Sequence, residues 1–137
     1  MDPARYRDLF VEEAGEHLGD LGRALLALEK DPASADALET CFRMVHSVKG
    51  MAAAMHFDPI TAVAHRLEDR LDAARRAGKV DPTTLLPKLF EGLDVLERLL
   101  GAVRETGACP EETPPRKVAG ADAGLKKKLP RSPSISI

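Results

Sequence analysis

The chain has 137 residues, a formal net charge of −2, four His, two Cys, no Trp, one Tyr and four Phe. That is one domain's worth of chain. With so few aromatics its core must come from Leu, Ala and Val, which favours helices packed on helices. No apolar run approaches the roughly 18 residues that span a bilayer, and the N-terminus lacks a signal-peptide pattern; the expectation is a cytoplasmic chain with no membrane insertion.

The small net charge hides an asymmetry. Residues 1–106 carry 14 Lys and Arg against 19 Asp and Glu, whereas residues 107–137 carry 6 against 3. An acidic folded part argues against nucleic acid as the main partner, and the short basic end reads as solvated linker. Cys41 falls in a predicted core and Cys109 in the predicted tail, so neither points to a disulfide or a metal cluster.

In chain order, Asp2-Pro3 is a helix start, with Asp as cap and Pro in the first turn. From there to about Lys30 no Pro interrupts, and Phe10, Ala14, Leu18, Leu21, Leu25 and Leu28 form an apolar seam. Gly15, Gly19 and Gly22 lie beside this seam and read as tolerated weakness on an exposed face. Asp31-Pro32-Ala33-Ser34 breaks the helix, and Ser34 can cap a second one. Its core positions are Leu38, Cys41, Phe42, Val45, Val48, Ala52 and Met55. His56-Phe57-Asp58-Pro59 is a short connection with a second Asp-Pro start. A third helix follows to about Ala77, with Ile60, Val63, Ala64, Leu67, Leu71 and Ala74 inward and Gly78 as its C-terminal stop. Asp81-Pro82 opens a fourth helix, with Leu85, Leu89, Leu93, Leu96, Leu100 and Val103 on its face. Pro87 lies too deep for its first turn, which predicts a kink or a late start. After Gly107 periodicity ceases and Pro and Gly accumulate. The expected organisation is a domain over 1–106 and a Pro/Gly/Lys-rich linker or disordered tail over 107–137. The fold class is all-α, an antiparallel up-down-up-down four-helix bundle.

The second helix carries an unusual outer face. His46 sits one residue past a core position, at the edge of the apolar stripe, and Lys49, Gly50 and Ala53 follow at i+3, i+4 and i+7 on the same side. A helix needing only solubility would place Glu, Lys or Arg there, and Gly50 costs roughly 1 kcal/mol against Ala in a helix interior. The small side chains leave room for something large to approach the imidazole. Antiparallel packing sets His46 level with Leu67 and its neighbours, and Lys49 level with Ala64. His65 and Glu68 share a face of the third helix, so the register gathers His46, Lys49, His65 and Glu68. His17 and His56 read as exposed and ordinary.

Each member has a chemical role. A carboxylate accepting from Nδ1–H of a neutral imidazole fixes its tautomer and leaves Nε2 as a nucleophile. Glu68 can do this, and can stabilise the cation that appears when Nε2 attacks a phosphoryl group. Lys49 can hold the transferred phosphate as a point charge. Phosphoryl transfer is mainly positioning and charge neutralisation, so this set suffices for an acceptor. A kinase needs more, and the sequence holds no Gly-rich phosphate loop, Walker motif or kinase catalytic loop. Two other classes compete. Di-iron bundles use two Glu-x-x-His pairs with two further Glu; here there is one pair in reversed order, beside a lysine. A non-catalytic helical interaction module would make the histidine incidental.

At these residues the chain resembles the histidine phosphotransfer (HPt) domain of CheA-type chemotaxis histidine kinases. The matching pieces are Phe10-Val11-Glu12-Glu13-Ala14 with the Leu-rich run to Leu28-Glu29, then His46-Ser47-Val48-Lys49-Gly50, then His65-Arg66-Leu67-Glu68-Asp69, over about residues 4–105. The run Met51-Ala52-Ala53-Ala54-Met55-His56 departs from relatives, which often carry more Gly. The resemblance implies that His46 is the phosphoryl acceptor and that Glu68, His65 and Lys49 form its supporting network. It implies as partners a CheA-type kinase catalytic domain and a response-regulator receiver of the CheY or CheB type, docking around Gly50 and Ala53. The expectation is a phosphocarrier with no cofactor of its own and no kinase catalytic domain, ATP and Mg being used by the partner.

Overall fold

Asp2 opens the structure as expected: its carboxylate accepts from Ala4 N–H at 3.2 Å, and Pro3 occupies the first helical position, where its missing N–H costs nothing. The computed structural model describes residues 2–111. Helix α1 spans Pro3–Lys30 and buries Phe10, Val11, Ala14, Leu18, Leu21, Ala24, Leu25 and Leu28. The recurrence at three and four residues that produces this stripe is what tertiary packing requires of a helix this long. Helix α2, Ala35–Ala54, begins at Ser34, whose hydroxyl accepts from Ala37 N–H at 3.2 Å. Such a cap satisfies one of the donors left unpaired at a helix start.

Helix α2 ends in a way its sequence conceals. Phe57 N–H bonds Ala52 O at 2.9 Å and His56 N–H bonds Ala53 O at 3.1 Å, while His56 takes a φ of +62°. This is the left-handed closing turn usually given to glycine, here carried by a histidine. His56 is exposed, as its sequence context suggests, but its backbone is not ordinary. The closing turn leads straight into α3, Asp58–Ala77, which has Phe57 at its cap position and no side-chain cap. Asp58, expected to cap, therefore lies one residue inside the helix. Phe57 instead packs on Phe10 of α1, ring centroids 5.2 Å apart.

Helix α3 stops at Gly78, with φ +82° and its N–H on Ala74 O at 2.8 Å. Helix α4 spans Leu86–Thr106 and ends at Gly107, again with φ +82°. It does not open at Asp81-Pro82. Asp81 Oδ1 collects Thr83 N–H at 2.9 Å, Thr84 N–H at 3.1 Å and the Thr83 hydroxyl at 2.8 Å, which closes a turn in place of a helix start. The late start puts Pro87 in the first turn of α4, where proline is tolerated.

Among the described residues the backbones of α1 and α2, α2 and α3, α3 and α4, and α4 and α1 approach one another, and those of the two diagonal pairs do not. Four helices with short connections and this neighbour pattern form an up-down-up-down bundle. Every inward position predicted on α1 and α3 is buried. On α4 the late start buries Leu86 in place of Leu85, and Val95 and Leu99 broaden the stripe. On α2, Phe42 and Met55 are only half-buried. Val80, outside any helix, is fully buried and ties the two loops at one end of the bundle through its N–H to Pro32 O at 2.9 Å.

Three other expectations change. Gly15 and Gly22 are half-buried against α4, where an added Cβ would meet Leu100 at 3.9 Å and Leu93 at 3.5 Å. His17 is half-buried as well. The segment after α4, expected as tail from residue 107, begins instead with Gly107 closing the helix and Cys109 packed half-buried on the core. The rest of that expected tail, from residue 112, lies outside the described residues.

Candidate functional site

Val45 and Val48 are fully buried on α2, and that anchoring aims the intervening face outward over α3. His46 lies on this face with its side chain 62% exposed, and His46 Nδ1 stands 2.6 Å from Glu68 Oε2 of α3. Lys49, one turn further along, meets the other oxygen, Glu68 Oε1. One carboxylate, itself only 12% exposed, thus spans both cationic-capable side chains. Leu67, buried beside it, fixes the α3 register that delivers Glu68 to this height.

The electrostatics settle which atom carries the proton. Partial burial pushes the Glu68 carboxyl up, but hydrogen bonds from Lys49 and His46, together with their charges, outweigh it and hold the group below the usual carboxylate range. Glu68 is then ionised at neutral pH and can only accept. His46 Nδ1–H is the donor, and in the neutral imidazole Nε2 keeps its lone pair, pointing away from the carboxylate. A Cβ placed on Gly50 would meet nothing within 4 Å, and Ala53 is exposed, so the approach to His46 is open along α2.

His65 is not brought into this contact. Its side chain is exposed and its Nε2 lies 3.6 Å from Asp69 Oδ2, one turn along the same helix. The carboxylate that comes near His65 is the one at i+4 on its own helix. Phe42, a core position by periodicity, is only half-buried, and its ring lies parallel to the His46 imidazole at an interplanar angle of 8° and a centroid separation of 6.1 Å. Arg75 of α3 sits over the same ring, Cζ 3.7 Å from its centroid. The i, i+4 spacing of Phe42 and His46 was the available signal for the stack. Among the described residues no three His, Cys, Asp or Glu converge as a metal site. Buried Cys41 is chemically quiet, its thiol pushed up to about 12 by desolvation.

The model of the Hpt domain family matches residues 5–106, all of the bundle but the first two residues of α1. The chain belongs to the Hpt domain family. It is a histidine phosphotransfer module of the kind found in the chemotaxis protein CheA. The CheA proteins of Halobacterium salinarum and Bacillus subtilis are each 37% identical to it, over 74% and 78% of this chain. The aligned region amounts to 15% and 16% of those relatives' own lengths. Among solved structures, the CheA phosphotransferase domain from Thermotoga maritima superposes with a TM-score of 0.71 at 35% identity, covering 76% of this chain and 99% of that one. A histidine phosphotransfer domain of CheA solved in solution gives 0.68 at 35% identity, covering 76% and 78%. Within this Hpt domain, no helix among the described residues is long and apolar enough to cross a membrane.

Proposed function

We propose that His46 is the phosphoryl acceptor of this domain and that it passes the group to an aspartate of a receiver domain. One observation carries the reading: an exposed imidazole donates Nδ1–H to a carboxylate that also holds Lys49, leaving Nε2 toward open space. The Nε2 lone pair attacks the γ-phosphorus of ATP held by a CheA-type kinase catalytic domain. The N–P bond forms as the P–O bond to ADP breaks, and the positive charge taken up by the ring sits against Glu68. An aspartate oxygen of a receiver of the CheY or CheB type then attacks the same phosphorus, and the N–P bond breaks. This is positioning with charge neutralisation, which needs no cofactor in this chain. ATP and Mg belong to the kinase partner.

Lys49 spends one of its three donors on Glu68 and has two left for phosphate oxygens. Its removal weakens transfer less than loss of His46. Glu68 orients and neutralises. His65, paired with Asp69, has no part in this reading. Both partners dock over Gly50 and Ala53.

The experiment is phosphoryl transfer in trans, with the chain, a CheA-type ATP-binding and dimerisation fragment and labelled ATP. Acid-labile, base-stable label is expected on wild type, none on His46→Gln, and a rate lowered by about 10²-fold in Glu68→Ala, as for loss of an orienting general-base partner. Label that survives on His46→Gln would overturn the assignment.

A further inference from the structure

Among the described residues His46 makes a single side-chain hydrogen bond, to Glu68, and one such bond leaves the imidazole plane loosely held. The side chain is mostly solvent-exposed, so the core does not fix that plane. What stands beside the ring is Phe42, one turn back on α2 and nearly parallel to it. A phenyl ring half outside the core would itself be mobile, but the Arg75 guanidinium lies over it within cation–π range. Arg75 is in turn fixed from both helices: Nη1 donates to Glu39 Oε1 of α2 at 2.8 Å and Nη2 to Asp72 Oδ1 of α3 at 3.2 Å. The planar fork of arginine suits this two-sided grip in a way a lysine would not. The five side chains form a continuous ladder along the α2–α3 face, from the Glu39 and Asp72 carboxylates through Arg75 and Phe42 to the imidazole.

We propose that Phe42 and Arg75 are positioning residues for phosphoryl transfer: the clamped phenyl ring holds the His46 imidazole in one plane, so that the Nε2 lone pair keeps the direction that in-line attack on phosphorus demands. The inference rests on His46 being the acceptor. Neither residue touches the phosphoryl group, and the effect is on orientation. Misaligning a reacting atom by a fraction of an ångström is costly to a reaction governed by positioning.

The test uses the full chain, with the same kinase fragment and ATP as phosphodonor, in Arg75→Ala, Phe42→Leu and Phe42→Tyr. Arg75→Ala and Phe42→Leu are expected to lower the transfer rate at saturating kinase fragment about three- to tenfold, with KM for the fragment unchanged. Phe42→Tyr keeps the ring and restores the wild-type rate. A second readout is independent of activity: the His46 Hδ2 and Hε1 chemical shifts carry the ring current of Phe42. In Arg75→Ala, which leaves both rings in place, these shifts are expected to move toward their values in Phe42→Leu. A role for Arg75 confined to bracing the two helices would change thermal stability and leave these shifts alone. Unchanged shifts in Arg75→Ala overturn the ladder whatever the label does. A rise in KM with an unchanged saturated rate also overturns it, because Arg75 would then be a docking contact. Label surviving on His46→Gln is a different failure, that of the acceptor assignment, and it removes the function proposed for the ladder as well.

Discussion

Glu68 is the residue on which the site's pH behaviour turns. Its carboxyl lies below the usual range in the folded domain, through hydrogen bonds and charge from Lys49 and His46 that overcome partial burial. The unfolded chain therefore binds this proton at higher pH than the folded one. Stability from the contact is complete above the ordinary carboxylate range and is lost as pH falls through the folded value. Glu68→Gln removes that dependence. Urea melts across pH 3 to 7, a span of roughly that range, should show the wild-type advantage over Glu68→Gln greatest at neutral pH and shrinking on acidification. An advantage that grew toward acid would contradict the sign. His56 gives a second residue-scale prediction. It holds φ +62°, and among the described residues its side chain makes no hydrogen bond or ion pair. Left-handed backbone costs a non-glycine residue about 1–2 kcal/mol, and glycine returns part of that through the entropy of the unfolded chain. His56→Gly should raise stability by about 0.5–1 kcal/mol in a thermal melt.

Between elements, three glycines of similar sequence appearance have opposite meanings. Gly15 and Gly22 on α1 face α4 at ordinary van der Waals range, so a methyl group fits. Gly15→Ala and Gly22→Ala should each gain about 0.5–1 kcal/mol from helix propensity alone. Gly92 on α4 is different: an added Cβ would fall on the buried Leu67 side chain, 2.8 Å from its Cγ. Gly92→Ala should cost about 1–3 kcal/mol by overpacking, and because Leu67 precedes Glu68 it should also disturb the His46 contact. Parallel melts of the three variants decide this, and equal effects at Gly92 and Gly22 would refute it. The contrast also marks the limit of what the sequence made legible. Helix faces and their N-terminal signals could be read because apolar periodicity and Ser34 or Asp2 are local. Antiparallel register then sufficed to place Glu68 opposite His46. The Gly92–Leu67 approach, the Val80 tie to Pro32 and the pairing of His65 with Asp69 depend on three-dimensional distances that periodicity does not encode. Asp58 and Asp81 misled for a local reason: Asp-Pro marks the start of a helix and the start of a turn equally well.

At the scale of the whole molecule, the bundle separates a rigid interior from the face on which chemistry is proposed. Leu21, Leu25, Leu67, Leu71, Leu89 and Leu96 from three helices are all at most 2% exposed and belong to one core. His46 stands at the edge of the α2 stripe that buries Val45 and Val48, exposed to solvent, with open space along Gly50. A phosphoryl group on Nε2 adds about two negative charges, and these enter solvent beside Lys49 rather than the core. The helices contact one another in a closed ring around one buried cluster, an arrangement that a charge added outside it has no direct means of repacking. A carrier that must present the same histidine to a donor and then to an acceptor gains from such indifference. Phosphorylation should accordingly move backbone amide resonances around His46 to Gly50 and around Glu68, and leave those of α1 and α4 in place. Amide spectra recorded before and after phosphorylation in trans measure this directly. Shifts spreading through Leu18, Leu25 or Leu96 would mean that the charge reorganises the core, and the domain would then be a switch as well as a carrier.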